Sequence, residues 1–184
     1  MNTVSHPPIT LIAAVTKNGG LGLNGQLLVE EPRDQRWLQK RCLDKPLIMG
    51  RKTFENLPPL PMAHIIVLSR SGKTLKKPSF FSQNPSEPSV EVVSSVPEAL
   101  KAAKSYLAKN PSFPQEIMVL GGAQVYKAFL PLCTGVDLTV FNVLRSSDAF
   151  FPPLKPESFS VMKTLTFPVN DANPTPMALH IYRK

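Results

Sequence analysis

Five short apolar runs rich in Ile, Val and Leu, at positions 9–15, 46–49, 64–68, 90–93 and 117–120, constrain the fold of this chain more than any other feature. A strand with one wet face alternates apolar and polar residues. Most of these runs are too uniformly apolar for that, and read as strands of a largely parallel sheet covered on both faces by helices. Helical patterns fall between them. The stretch 32–43 has proline in its first turn, Ser95-Val96-Pro97-Glu98 is a capping box that opens a helix over 97–107, and 123–130 forms another. The tail changes character, because 137–144, 159–166 and 178–183 are strand-like with no helix between them. The expected architecture is α/β: a central mixed, mostly parallel β-sheet with an antiparallel C-terminal edge and helices on both faces.

At 184 residues the chain suits a single domain spanning 1–184 and is too short for two ordinary ones. Its 42% hydrophobic and 18% charged residues fit a soluble globular protein, and no apolar run approaches a membrane span. No basic segment precedes the first apolar run, so no signal peptide is expected. Cys42 and Cys133 are far apart and lack ligand spacing. A reduced, cytoplasmic setting follows, with neither a disulfide framework nor a structural metal. The net charge of +8 is scattered rather than gathered in a basic run interleaved with aromatics, which argues for a small anionic ligand and against nucleic acid. Many of the 20 prolines mark element ends and loops, and the stretch 72–88 reads as a mobile surface loop.

Three junctions after apolar runs carry glycine. The first, Lys17-Asn18-Gly19-Gly20-Leu21-Gly22-Leu23-Asn24-Gly25, reads either as a plain turn or as a loop that flexes over a ligand. The second, Gly50-Arg51-Lys52-Thr53, joins an apolar strand to a helix start, where backbone N–H groups and the helix dipole favour a phosphate. The third is Gly121-Gly122-Ala123-Gln124-Val125-Tyr126, in which a Gly-Gly step lets backbone approach a ligand closely. The run at 64–68 ends in Ser69-Arg70, a hydroxyl and a guanidinium suited to a phosphate monoester such as the 2′-phosphate of NADP. No Walker A loop, full G-x-G-x-x-G, HExxH or G-x-S-x-G occurs, and His6, His64 and His180 stand alone. A metal-free, cofactor-driven reaction is left. Among carboxylates, Asp34 lies in the first helical turn, where it either complements the dipole or, sharing a face with Leu38, projects into an apolar cleft and grips a heterocycle.

Taken in order, Ile9-Thr10-Leu11-Ile12-Ala13-Ala14, Pro46-Leu47-Ile48-Met49-Gly50-Arg51-Lys52-Thr53, Ile117-Met118-Val119-Leu120-Gly121-Gly122 and Asp137-Leu138-Thr139 make the chain resemble the dihydrofolate reductase family over nearly its whole length. The resemblance implies a dihydrofolate-reductase-like fold and an NADPH-dependent oxidoreductase. Its reaction would be hydride transfer to the pterin ring of 7,8-dihydrofolate, giving tetrahydrofolate for one-carbon metabolism. Asp34 falls at the carboxylate that binds the pterin 2-amino group and N3, and Thr139 at the threonine that hydrogen-bonds it; both are assigned as catalytic. Ile12, Ala13, Leu27, Leu38, Leu57, Leu60 and Leu120 complete the implied substrate site. The implied NADPH groove takes Ala14, Leu21, Gly22, Gly50, Arg51, Lys52 and Thr53, with Leu68, Ser69 and Arg70 toward the 2′-phosphate. Leu120, Gly121, Gly122, Ala123, Gln124, Val125 and Tyr126 close it, and the loop at 22–28 would be a mobile lid. No metal is implied, and the expected partner is a small pterin or folate, with no nucleic acid, no membrane and a monomeric state.

Several departures from the family pattern bear on the substrate. The lid's usual Pro-Trp is Leu28-Val29, and the usual Leu-Pro-Gly-Arg is Leu60-Pro61-Met62-Ala63, which removes the arginine that clamps the glutamate tail. An aromatic often found one turn after the carboxylate is Leu38, and Gln39 stands where a cation can occur. Three readings follow: a dihydrofolate reductase that anchors the tail otherwise; an NADPH-dependent reductase of a tail-less dihydropterin or a riboflavin-pathway pyrimidine; and a non-catalytic nucleotide-binding protein.

Overall fold

The computed structural model describes residues 6–58, 60, 64–71, 75–78, 81 and 88–184. The chain begins with β1 (Ile9–Thr16), followed by two short strands, β2 (Gly20–Leu23) and β3 (Gln26–Leu27), and by helix α1 (Pro32–Cys42). Strand β4 (Pro46–Gly50) leads directly into α2 (Arg51–Glu55), and β5 (His64–Leu68), β6 (Val90–Val93) and α3 (Val96–Lys109) follow. The remainder is β7 (Ile117–Val119), α4 (Ala123–Phe129), β8 (Gly135–Phe141), β9 (Ala149–Phe150), β10 (Ser160–Phe167) and β11 (Met177–Arg183).

Eight strands form one sheet in the order β10-β11-β8-β1-β7-β4-β5-β6. From β8 to β6 all neighbours are parallel, while β11 pairs antiparallel with β8 and with β10. The uniformly apolar runs are therefore the parallel, doubly covered strands, and the antiparallel edge comes from the tail, as expected. Strand β8 itself is parallel to β1, so the antiparallel part starts one strand later than the tail pattern suggested.

Side chains alternate between the two faces. Leu11, Ala13 and Val15 of β1 pack with Ala99, Ala103 and Leu107 of α3 and Phe129 of α4. Ile12 lies on the other face with Met49, Phe54 and Leu57, against which Trp37 and Leu38 of α1 pack. The period of two along each strand thus separates two cores. The predicted caps hold: Pro32 opens α1, and the Ser95 hydroxyl accepts the Glu98 N–H at the start of α3. The Glu98 carboxylate accepts from Ser94 N–H at 2.8 Å.

Helix α1 is tied to β8 at both ends. Asp137 and Thr139 are two apart on the strand and share a face, while Asp34 and Arg41 are two turns apart on the helix. Thr139 donates to Asp34 Oδ1 at 2.6 Å, and Arg41 Nε donates to Asp137 Oδ2 at 2.7 Å. Arg183 from β11 adds a second contact to Asp137 at 3.0 Å, and Arg41 also meets Glu116, which holds Lys45 at 2.7 Å.

The glycine-rich segment after β1 is a hairpin, not a bare loop. Strands β2 and β3 pair antiparallel, and β9 pairs with β2 to make a second, three-stranded sheet. Asn24 and Gly25 supply positive φ values of 52° and 78°, the two left-handed residues that a tight hairpin turn of Asn-Gly type requires. Of the 72–88 stretch expected to be a surface loop, most lies outside the described residues. Within it Phe81 is buried and meets the Phe54 ring edge-on at 5.5 Å. His64 is not isolated either: it stacks on Tyr106 at 4.8 Å and its ring nitrogens face Ser89 and Glu91.

Candidate active site

A cleft of about 530 Å³ runs along the carboxyl ends of β1 and β7, walled by α1, by the β2–β3 hairpin, by α2 and by the start of α4. Ligands in open α/β sheets bind at this end of the strands, where the backbone turns away to leave a crevice. Its walls are mostly apolar, with a few convergent polar groups.

Asp34 lines one arm of the cleft. It projects from the first turn of α1, and Thr139 rises to meet it because Thr139 pairs in register with Ala14 on the central strand. Burial pushes the Asp34 carboxyl up from 3.8 to about 6; the Thr139 hydrogen bond pulls the other way, and the nearby Glu31 charge adds to the rise. Ile12, Ala13, Leu27, Leu38, Leu57 and Leu120 line the same cleft, as expected of a substrate site. Thr139 reaches it through Asp34, and Leu60 lines a smaller pocket of about 170 Å³ that shares Gln35, Leu38 and Pro58 with the cleft.

The other arm carries part of the predicted cofactor set. Ala14, Leu21, Gly22, Lys52, Thr53, Leu120, Gly122, Ala123 and Tyr126 line it. Gly121 supports it from behind: its φ is +95°, and a Cβ there would lie 2.6 Å from the Tyr126 ring, so only glycine fits. Tyr126 is buried, and its hydroxyl donates to the Ile12 carbonyl at 2.7 Å, locking α4 to β1 beneath the cleft.

Other assigned cofactor residues stand apart from the cleft. Gly50 N–H donates to the Gly121 carbonyl at 2.7 Å, so it joins the two glycine turns and is not offered to an anion. Arg51 turns its guanidinium onto Glu55, 2.8 and 2.9 Å from the two carboxylate oxygens, an intrahelical pair at i,i+4. The Gly50 N–H and the Arg51 guanidinium are thus engaged within the protein, while Lys52 and Thr53 of the same turn line the cleft. Val125 is buried in the core, Gln124 is exposed, and Leu68, Ser69 and Arg70 end β5 outside the cleft walls.

Sequence reasoning passed over several cleft residues. Glu31, Gln35, Trp37, Asn56 and Asp148 all line it. The 3.6-residue period around Asp34 places Glu31 and Trp37 on its side of α1, a signal that the chain contained. Two polar atoms here are buried without a partner among the described residues: Glu31 Oε1 and Trp37 Nε1. Ala63, where the tail-clamping arginine is missing, lies outside the described residues. No cluster of His, Cys, Asp and Glu suited to a metal ion occurs among the described residues.

The cleft thus lies at the carboxyl edge of an open parallel sheet, with a hydroxyl-supported carboxylate in its wall. The family model described as Dihydrofolate reductase matches residues 8–184. A dihydrofolate reductase from Enterococcus faecium is 31% identical over 173 residues, 93% of each chain, and one from Neisseria gonorrhoeae is 32% identical over 148 residues, 79% of this chain and 80% of its own. A solved structure of dihydrofolate reductase from Enterococcus faecalis, complexed with NADP(H), superposes with a TM-score of 0.78 at 23% identity, covering 97% of this chain and 96% of that one. This chain belongs to the dihydrofolate reductase family.

Proposed function

We infer that the protein reduces 7,8-dihydrofolate to 5,6,7,8-tetrahydrofolate with NADPH. The observation that carries this reading is the Thr139–Asp34 hydrogen bond at 2.6 Å inside an otherwise apolar cleft. A carboxylate held there by one oxygen keeps Oδ2 for a donor on the pterin, and two such contacts fix the ring's orientation.

The residues of the second arm fit a dinucleotide. Small side chains at Ala14, Gly122 and Ala123 leave room for a flat ring, and Lys52 is the one lysine or arginine among the described residues that line the cleft. Lys52 and Thr53 would hold the pyrophosphate, with Ser69 and Arg70 at the 2′-phosphate. When bound, the dihydronicotinamide supplies the hydride. The protein positions the acceptor ring: Asp34 orients the pterin, Thr139 orients Asp34, and Ile12, Leu38 and Leu57 exclude water from the face that reacts. With its carboxyl titrating near 6, Asp34 is largely ionised at neutral pH and is one proton away from the neutral form. The proton for the pterin N5 comes from water.

A second reading, reduction of a tail-less dihydropterin, is favoured by the smaller pocket beside the cleft. Its described lining is Gln35, Leu38, Gln39, Pro58 and Leu60, which offers amides and apolar surface to a substrate tail but no cation. Purified protein assayed for NADPH oxidation with dihydrofolate and with a dihydropterin lacking the aminobenzoyl-glutamate tail separates the readings. Preference for dihydrofolate supports the first and preference for the short substrate the second. Tight NADPH binding without turnover of either would overturn both and leave a non-catalytic nucleotide binder. In either enzymatic reading the protein acts as a cytoplasmic monomer on small molecules, with no nucleic acid or membrane partner. Free, buried Cys42 and Cys133 are in keeping with a reducing compartment. No helix among the described residues is long and apolar enough to cross a membrane.

A further inference from the structure

Helix α1 carries Asp34, yet little apolar packing fixes where it lies. Of its 11 residues only Cys42 is buried, while Trp37 and Leu38 pack partly against the core. Two polar contacts tie it to β8. At one end Thr139 donates to Asp34 Oδ1 at 2.6 Å, and at the other Arg41 Nε donates to Asp137 Oδ2 at 2.7 Å. Asp34 and Arg41 are separated by about 10 Å along the helix axis, and Asp137 and Thr139 by about 7 Å along the strand. Two contacts so far apart on both elements hold the helix against sliding and turning over the strand.

The Arg41–Asp137 pair is built for rigidity. Asp137 is 1% exposed, and Arg183 of β11 donates to its Oδ1 at 3.0 Å. The other guanidinium nitrogens of Arg41 meet Glu116 at 3.0 and 3.2 Å. Glu116 is itself held by Lys45 at 2.7 Å and by the Thr10 hydroxyl of β1 at 2.6 Å. Burial pushes the neighbouring Cys42 thiol up to about 12, so it stays neutral beside these charges. Arg41, Asp137, Arg183 and Glu116 all lie outside the cleft walls. Asp34, by contrast, faces Thr139 of β8, the Tyr126 phenol of α4 and Glu31 at the helix start, with Lys52 of α2 in the cleft wall. Glu31, Arg33 and Arg36 are bonded to the β10–β11 connection, at Thr175 N–H, the Pro168 carbonyl and Asn173 Oδ1.

We propose that Arg41 and Asp137 are positioning residues for the reaction: their ion pair is a strut that holds α1 where Asp34 meets Thr139, and so orients the carboxylate toward the substrate. The proposal rests on the reading that the pterin binds at Asp34. Without the strut, the start of the helix stays on the β10–β11 connection while its far end loses its hold on β8, and the Thr139–Asp34 bond lengthens. A carboxyl deprived of that donor titrates higher, because the hydroxyl opposes the effect of burial.

The test compares Arg41→Met, Asp137→Ala and Arg183→Met with the wild type. The Asp34 titration is read from carbon-13 carboxyl resonances of the ligand-free protein, and kcat/KM from NADPH oxidation with dihydrofolate at neutral pH. Removing the positive charge of Arg41 and the negative charge of Asp137 has opposite direct effects on a nearby carboxyl, the first upward and the second downward. Loss of the strut instead raises the Asp34 titration in both variants, by about half a pH unit or more, and lowers kcat/KM about tenfold. Arg183→Met takes a cation from the same Asp137 without touching α1, so it lowers stability in urea but leaves both readouts near wild type. Asp137→Ala keeps Arg41 paired with Glu116, so the comparison survives a folding defect in Arg41→Met. An Asp34 titration that is unmoved, that falls in Asp137→Ala, or that rises as much in Arg183→Met would overturn the strut alone. A titration that rises in both variants while kcat/KM keeps its wild-type value would show that the substrate does not depend on Asp34, and the reading of the site would fail with the proposal.

Discussion

Thr139 and Asp34, 105 positions apart in the chain, meet through a 2.6 Å hydrogen bond that binds the central sheet to the first helix at the cleft wall. Because the hydroxyl donates to the carboxylate, it favours the ionised form and holds down a carboxyl that burial pushes up. Thr139→Val should therefore move the acid limb of the kcat/KM profile to higher pH. It should also lower turnover at pH 7 about tenfold, the scale of one hydrogen bond to a charged group. A pH–rate series on both proteins checks this; a profile unmoved by the substitution would remove Thr139 from the site.

Asp34 is held in its ionised form against the stability of the fold. Its carboxyl titrates at about 6 in the folded protein against 3.8 for the unperturbed group, so the folded state binds the proton more tightly. The sign is the reverse of the usual acidic residue: stability from this group is greatest below 3.8 and is lost as pH rises through 6. Asp34→Asn should raise stability at pH 7 by about 2–3 kcal/mol, and the gain should vanish below pH 4. Urea unfolding at the two pH values measures both parts.

How much of this was readable in the chain depends on whether the cause was local. The buried strands were legible because uniform apolarity over four to eight residues is a local pattern with one common meaning. Helical spacing put Asp34 and Leu38 on one side of α1 but left open whether Asp34 served the helix dipole or faced a cleft; both line the cleft. The hairpin after β1 was signalled by Asn24-Gly25, but the three glycines before it, Gly19, Gly20 and Gly22, read as flexibility. Gly50 and Arg51 differ in how local their partners are. Glu55 is four residues from Arg51, so that pair is local, whereas only the fold brings the Gly121 carbonyl to the Gly50 N–H. The burial of Glu31 was not legible, because it rests on the Thr175 N–H 144 positions away.

The far end of α1 is fixed by ion pairs. Arg41 bridges Asp137, which is 1% exposed, and Glu116. Arg41→Ala leaves a buried carboxylate with only Arg183, and should destabilise the protein by about 3 kcal/mol. Burial works against ionisation of Glu116, but hydrogen bonds from Arg41, Lys45 and Thr10 outweigh it and hold the carboxyl at about 2, below its usual 4.5. Its stabilising effect is thus present above 4.5 and lost as pH falls from there toward 2. Acid unfolding of Glu116→Gln should lose that part of its pH dependence.

Gly121 sits where two demands coincide, a φ of +95° and the Tyr126 ring 2.6 Å from any added Cβ. Gly121→Ala should displace Tyr126 and with it the bond to the Ile12 carbonyl, at a loss of about 2–4 kcal/mol. NADPH affinity should fall with it, since α4 starts in the cofactor arm. Thermal unfolding and NADPH titration read the two effects; wild-type values in both would show that the turn tolerates a side chain.

The most direct measurement is steady-state NADPH oxidation with dihydrofolate at neutral pH by wild-type protein and Asp34→Asn. The expected result is NADPH-dependent turnover by the wild type and a loss of at least about a hundredfold in kcat/KM when the carboxylate is replaced, with NADPH affinity unchanged. Turnover by Asp34→Asn close to that of the wild type would contradict the assignment of the site.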